Sequence, residues 1–127
     1  MNSRQKGARG ERELANILKE RGYEARRGQQ YCGSNGDADV VGVKGLHIEC
    51  KRVERLDINK AMEQSINDAR PEEIPCVMHR KDRDYWKTTL GLDDFLDVWE
   101  CSNKWKELMG NATEEEKEIL RRHNSKR

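Results

Sequence analysis

Residues 39–51 read Asp-Val-Val-Gly-Val-Lys-Gly-Leu-His-Ile-Glu-Cys-Lys, two apolar runs parted by a glycine-bounded turn. Both runs are short and rich in β-branched residues, and Lys44-Gly45 has turn composition, so the stretch predicts a hairpin of Asp39–Val43 and Leu46–Arg52. Successive strand side chains point to opposite faces. Leu46, Ile48 and Cys50 therefore make an apolar face, while His47, Glu49 and Lys51 share the other, with a carboxylate and an ammonium side by side.

Loop length decides what faces Glu49. A two-residue loop at Lys44-Gly45 pairs Asp39 with Cys50. A three-residue loop, Val43-Lys44-Gly45 with a left-handed Gly45, pairs Gly42 with Leu46 and sets Asp39 opposite Glu49. The second register also puts Val40 and Ile48 on one apolar face, so burial and carboxylate pairing favour the same alignment. Two facing carboxylates repel unless a cation lies between them. Mg²⁺ is the natural occupant, since it prefers oxygen ligands and typically binds through one or two carboxylates together with substrate phosphate oxygens. Lys51 beside them can hold or help deprotonate an attacking water and stabilise charge on a phosphorane, which suits phosphodiester hydrolysis.

Toward the N-terminus, residues 4–21 predict a helix with Leu14, Ile17 and Leu18 on one side and Gly22 as its stop. Glu11 shares that face with Leu14, Ala15 and Leu18, whereas Glu13 is turned roughly 160° away. An acidic group on an apolar stripe calls for a partner, and completing the metal site, often through water, supplies one. The other reading of Glu11 is an exposed residue near the positive end of the helix. A short strand at Tyr23–Ala25 and a loop at Gly28–Asp37 lead into the hairpin.

Toward the C-terminus, Asp57 caps a helix running to about Ala69 with the stripe Ile58, Met62, Ile66 and Ala69, and Pro71 marks its end. Strands are expected at Ile74–Met78 and Tyr85–Leu90. Leu92, Phe95, Leu96 and Trp99 recur at helical spacing, and Trp105, Leu108 and Met109 continue the pattern after a break near Ser102 and Asn103. Thr113 and Glu116 form a capping box for a last charged helix. This order predicts an α/β (α+β) fold, helices on a mixed sheet, in one domain spanning 1–127, with a core of about 4–90 and a helical extension of about 91–127.

Charged residues are 39% of the chain and apolar ones 34%, yet the apolar ones are gathered into periodic runs, as a folded protein requires. No run suits a membrane span or a signal core, so a soluble, cytoplasmic protein is expected. The four cysteines show no metal-ligand or redox spacing and are expected as reduced thiols. Net charge is only +1, but residues 1–30 hold eight Lys/Arg against four Asp/Glu; any nucleic-acid contact is expected there, while from charge alone the excess reads equally as a solvated helix face.

Glu11-Arg12-Glu13-Leu14 after Lys6-Gly7, Gly36-Asp37-Ala38-Asp39-Val40-Val41, and Glu49-Cys50-Lys51 together resemble the PD-(D/E)XK nucleases, particularly archaeal-type Holliday junction resolvases and their phage relatives. The resemblance covers about residues 4–90, with Ala38 where the motif has proline. It implies a restriction-endonuclease-like sheet and a metal-dependent, structure-selective endonuclease acting on branched DNA as a homodimer. It assigns catalysis to Glu11, Asp39, Glu49 and Lys51. Mg²⁺, or Mn²⁺ in its place, would be held by Asp39, Glu49, the Cys50 carbonyl and Glu11 through water. Arg12, Arg26 or Arg27, and Ser34 in the Gly28–Asp37 loop would contact DNA. Gln64 is expected to be solvated and His47 a bystander. Phe95, Trp99 and Trp105 are expected as core or self-association surface. The alternatives are a nuclease of the same fold acting on ends, flaps or nicked duplex, and a non-catalytic DNA-binding protein.

Overall fold

The computed structural model describes residues 3–29 and 38–125. The chain forms two compact units, Met1–Gly91 and Leu92–Arg127. The first runs α1 (Ser3–Glu20), β1 (Arg26–Arg27), β2 (Val40–Val41), β3 (Leu46–Arg52), α2 (Ile58–Asp68), β4 (Ile74–Arg80) and β5 (Lys87–Leu90). The strands form one mixed sheet in the order β1-β2-β3-β4-β5. Neighbours are antiparallel except β3 and β4, which run parallel because α2 carries the chain back between them.

The hairpin adopts the register expected of the three-residue loop, although its closing turn spans Lys44 and Gly45 alone and the extra residue is Gly42, just outside β2. Val40 pairs with Ile48, the Leu46 N–H donates to the Val43 carbonyl at 3.2 Å, and Gly45 sits at φ +91°. Continuing that register by one residue sets Asp39 across from Glu49. Gly42 is also left-handed, at φ +103°, and a Cβ there would drive into the Glu24 carbonyl. Its hydrogen atom is what lets the chain before β1 lie against the hairpin. Pairing in β1 is Arg26 with Val41 and Arg27 with Val40, so the strand falls just after the expected Tyr23–Ala25. The reason is that β2 leaves strand geometry at Gly42, before Ala25 can find a partner.

One face of β3 packs on α1. Leu14 and Ala15 of α1 join Ala25, Val40, Ile48, Cys50 and Cys76 in a buried cluster. Full burial of Val40 and Ile48 is worth ~1.5–3 kcal/mol each. Glu13 fastens the same helix to the far strands. Its carboxylate accepts from Trp86 Nε1 at 2.9 Å and Arg80 Nη2 at 3.2 Å, and Arg52 Nη1 lies at 3.3 Å. Burial opposes its ionisation, but the hydrogen bonds from Trp86 and Arg80 and the charges of Arg80 and Arg52 outweigh burial and hold its carboxyl below the ordinary value.

The opposite face of β3, carrying His47, Glu49 and Lys51, is covered by α2. Asp57 caps this helix as expected, its side chain accepting the Lys60 N–H at 3.1 Å. Its buried residues are Ala61 and Ser65, while Ile66 is exposed, so the sheet-facing stripe lies one position away from the predicted one. The cause is what α2 packs on. Small side chains bring the helix close enough for the Ser65 hydroxyl to share its proton between the carbonyls of His47, at 3.2 Å, and Cys76, at 3.1 Å.

In the second unit, α3 (Leu92–Asn111) continues through Ser102 and Asn103 without the expected break, and α4 (Glu114–Ser125) follows, capped by Thr113, which accepts the Glu116 N–H at 3.2 Å. No residue of α3 is buried, and Phe95 and Trp99 stack on each other with centroids 6.2 Å apart. Among the described residues no helix is long and apolar enough to cross a membrane.

Candidate active site

Asp39 and Glu49 are buried carboxylates, 7% and 3% exposed. The hairpin register brings them together, and Asp39 Oδ2 accepts the Cys50 N–H at 2.9 Å, which fixes its side chain against β3. Burial first, then the charge and hydrogen bond of Asp39, push the Glu49 carboxyl up to about 8 against the opposing pull of Lys51. Glu49 Oε2 is buried without a hydrogen-bond partner. An orphaned carboxylate oxygen beside a second buried carboxylate is a donor set that fits a divalent cation.

Cys50 marks the centre of the arrangement. Its thiol is pushed well above the ordinary value by burial, then by Asp39 and Glu11, while Lys51 acts the other way. The charges of Glu11, Asp39 and Lys51 thus converge on one residue of β3, next to Glu49. Glu11 also forms an ion pair with Arg27, Oε2 to Nε 2.7 Å. A residue expected to serve catalysis is therefore tied to one expected to touch DNA. Arg12 and Arg26 are exposed on α1 and β1, at the surface rather than inside the cluster, and Gln64 is exposed on α2. Ser34 and residues 30–37 of the expected loop lie outside the described residues.

Two groups of residues were missed in the sequence. Glu13, Arg52, Arg80 and Trp86 lock α1 to the sheet; strand alternation, which puts Arg52 on the α1 face with Cys50, is the one signal that pointed to them. Asp68 joins His47 and Glu49, one ligand atom from each lying within 4.8 Å of the others. The spacing Ala61-Ser65-Asp68 along α2 carries that signal once the small residues are recognised as its buried stripe.

A mixed sheet with an acidic residue on one strand facing Glu-x-Lys on the next, and a helix glutamate alongside, defines a nuclease of the PD-(D/E)XK type. Over residues 2–66 the sequence matches the family described as archaeal Holliday junction resolvase (Hjc). The structure is similar to that of Hjc from Archaeoglobus fulgidus, a Holliday junction resolvase from an archaeal hyperthermophile. The TM-score is 0.52 at 28% identity, covering 67% of this chain and 72% of that one. Comparison with curated proteins gives no match. The chain belongs to the archaeal Holliday junction resolvase family.

Proposed function

We propose that this protein resolves four-way DNA junctions as a Mg²⁺-dependent endonuclease, with Glu11, Asp39, Glu49 and Lys51 as its catalytic residues. The observation that carries this reading is the buried Asp39–Glu49 pair with its orphaned oxygen, set beside Lys51 in a resolvase-family fold. Asp39, Glu49 and the Cys50 carbonyl would hold the ion, with Glu11 joining through water. When bound, the ion supplies Lewis-acid polarisation of the scissile phosphate and a more acidic water.

The chain's own residues supply the rest. Lys51, drawn toward Glu49 by charge, orients the attacking water and stabilises negative charge as the phosphorane forms. The Cys50 N–H holds Asp39 in one rotamer, so the carboxylates meet a substrate already arranged. Glu11 keeps Arg27 at the rim of the site, where Arg27, Arg26 and Arg12 contact phosphates and read backbone shape rather than base edges. A four-way junction needs two symmetric cuts, which a two-fold dimer presents.

The test is cleavage of a labelled immobile junction beside duplex, flap and single strand, with Mg²⁺ or EDTA. Paired symmetric nicks requiring metal, lost in Asp39→Asn and Lys51→Ala while junction binding persists, are expected. Cutting of flaps or ends instead would change the substrate and keep the site; full activity in both variants would overturn the site.

A further inference from the structure

We propose that His47, Glu49 and Asp68 form a second cation site, distinct from the Asp39 side of Glu49, that takes a transition-metal dication such as Mn²⁺ or Zn²⁺. Three independent features converge on it. One ligand atom from each residue lies within 4.8 Å of the other two. His47 is only 3% exposed, and its Nε2 has no hydrogen-bond partner; Glu49 Oε1 lies 3.5 Å away. A buried ring nitrogen left unpaired is costly, and this one faces the Glu49 carboxylate.

The imidazole is also set up from behind. Glu73 Oε1 is 3.6 Å from His47 Nδ1 and is itself held by the Arg70 N–H at 2.9 Å. A carboxylate behind the ring, on the side away from Glu49, is the kind of outer partner that orients metal-binding histidines. A pocket of about 770 Å³, lined among others by His47, Asp68 and Glu73, gives an ion access from solvent.

Ligand chemistry selects the ion. An imidazole with two carboxylates suits Mn²⁺ and Zn²⁺, whereas Mg²⁺ strongly prefers an all-oxygen shell. Three protein ligands leave further positions open to water or phosphate. Because Glu49 is shared, an ion here draws one of its oxygens away from Asp39. The site stands on His47 and Asp68, which the proposed cleavage machinery does not use, so either reading can fail without the other.

The experiment is pulsed electron paramagnetic resonance of the full-length protein loaded with Mn²⁺, reading the ¹⁴N modulation of a directly bound imidazole. The modulation is expected in the wild type and in Asp39→Asn, and is expected to vanish in His47→Gln. Asp68→Asn changes an exposed side chain and should leave the fold intact, so a roughly tenfold weaker binding of the imidazole-ligated Mn²⁺ is expected there, and likewise in Glu73→Gln. No ¹⁴N modulation in the wild type, its survival in His47→Gln, or unchanged affinity in Asp68→Asn would each overturn the site. Loss of the modulation in Asp39→Asn would mean one site rather than two and would overturn it as well.

Discussion

The Glu49 carboxyl, raised from 4.5 to about 8 by burial and by Asp39, makes the stability of the metal-free protein depend on pH with a definite sign. Between those values the folded chain keeps a proton in the Asp39–Glu49 pair that the unfolded chain has released. The unfolded state then binds fewer protons, so stability falls as pH rises, by ~1.4 kcal/mol per unit for one proton. This contribution is intact below the unfolded value and gone once pH passes the folded one. From about pH 5.5 to 7.5 the ceiling is ~3 kcal/mol, and relaxation around the pair leaves ~1.5–3. His79 works in the opposite direction. Burial and then Lys87 hold its imidazole below the ordinary value, so its contribution is present at higher pH and lost as pH falls. Glu49→Gln removes the first effect and keeps the second. Urea unfolding of wild type and Glu49→Gln in EDTA, at steps across this range, isolates Glu49 as the difference of slopes. Saturating Mg²⁺ should flatten the wild-type slope, because the cation keeps both carboxylates ionised. Equal slopes for the two proteins in EDTA would refute the argument.

Gly42→Ala combines a left-handed backbone with a collision against the Glu24 carbonyl and should destabilise by ~2–3 kcal/mol, whereas Gly45→Ala, with open space around it, should cost ~1, both read by urea unfolding. Glu13→Gln weakens the contacts with Arg52 and Arg80 and should lower stability by ~1–3 kcal/mol; a variant as stable as wild type would show that the lock contributes nothing. Burial and then the charge of Glu49 push the Cys76 thiol up to about 11, and Cys50 is held higher still, while Cys101 is exposed. Alkylation of the native protein followed by peptide mass mapping should label Cys101 and spare Cys50 and Cys76 until denaturant is added. Above pH 8, where both carboxylates of the pair are ionised, Asp39→Asn should bind a junction several-fold more tightly than wild type in EDTA at low salt, by gel shift, since one charge facing the phosphates is gone; weaker binding would count against the proposed DNA path.

The hairpin was legible because its information is local. The alternation through Leu46–Lys51, and a glycine where a three-residue loop needs one, specify the register that the structure adopts, and with it the meeting of Asp39 and Glu49. The ends of α2 were legible for the same reason, since Asp57 and Pro71 act within a turn of themselves. Its buried face was not. Periodicity weighs apolar size and so selects Ile66, but α2 packs on the polar face of β3, where Ala61 and Ser65 matter because they are small. Glu13 shows the other limit. Its turn away from Glu11 is a local fact, but its partners Arg80 and Trp86 stand 67 and 73 residues along the chain, and no local pattern announces such a pairing. The same holds for Glu11 and Arg27, which only the fold brings into contact.

These two faces of β3 explain how one strand serves both fold and chemistry. On the α1 side, Arg52 and Arg80 are compensated by Glu13 and Asp82, so burial there leaves no net charge to balance. On the α2 side, Asp39, Glu49, Asp68 and Glu73 gather around Lys51 and His47, an excess of negative charge in a chain whose net charge is +1. A phosphodiester brought to that face meets repulsion until cations are present. On the proposed reading, the basic surface of α1 and β1 captures DNA at any metal level, but the scissile phosphate settles beside Glu49 only when the carboxylates are neutralised. Metal occupancy then governs placement of the substrate as well as the chemical step, and the repulsion that weakens the empty protein at neutral pH keeps the ion-free site from holding DNA unproductively.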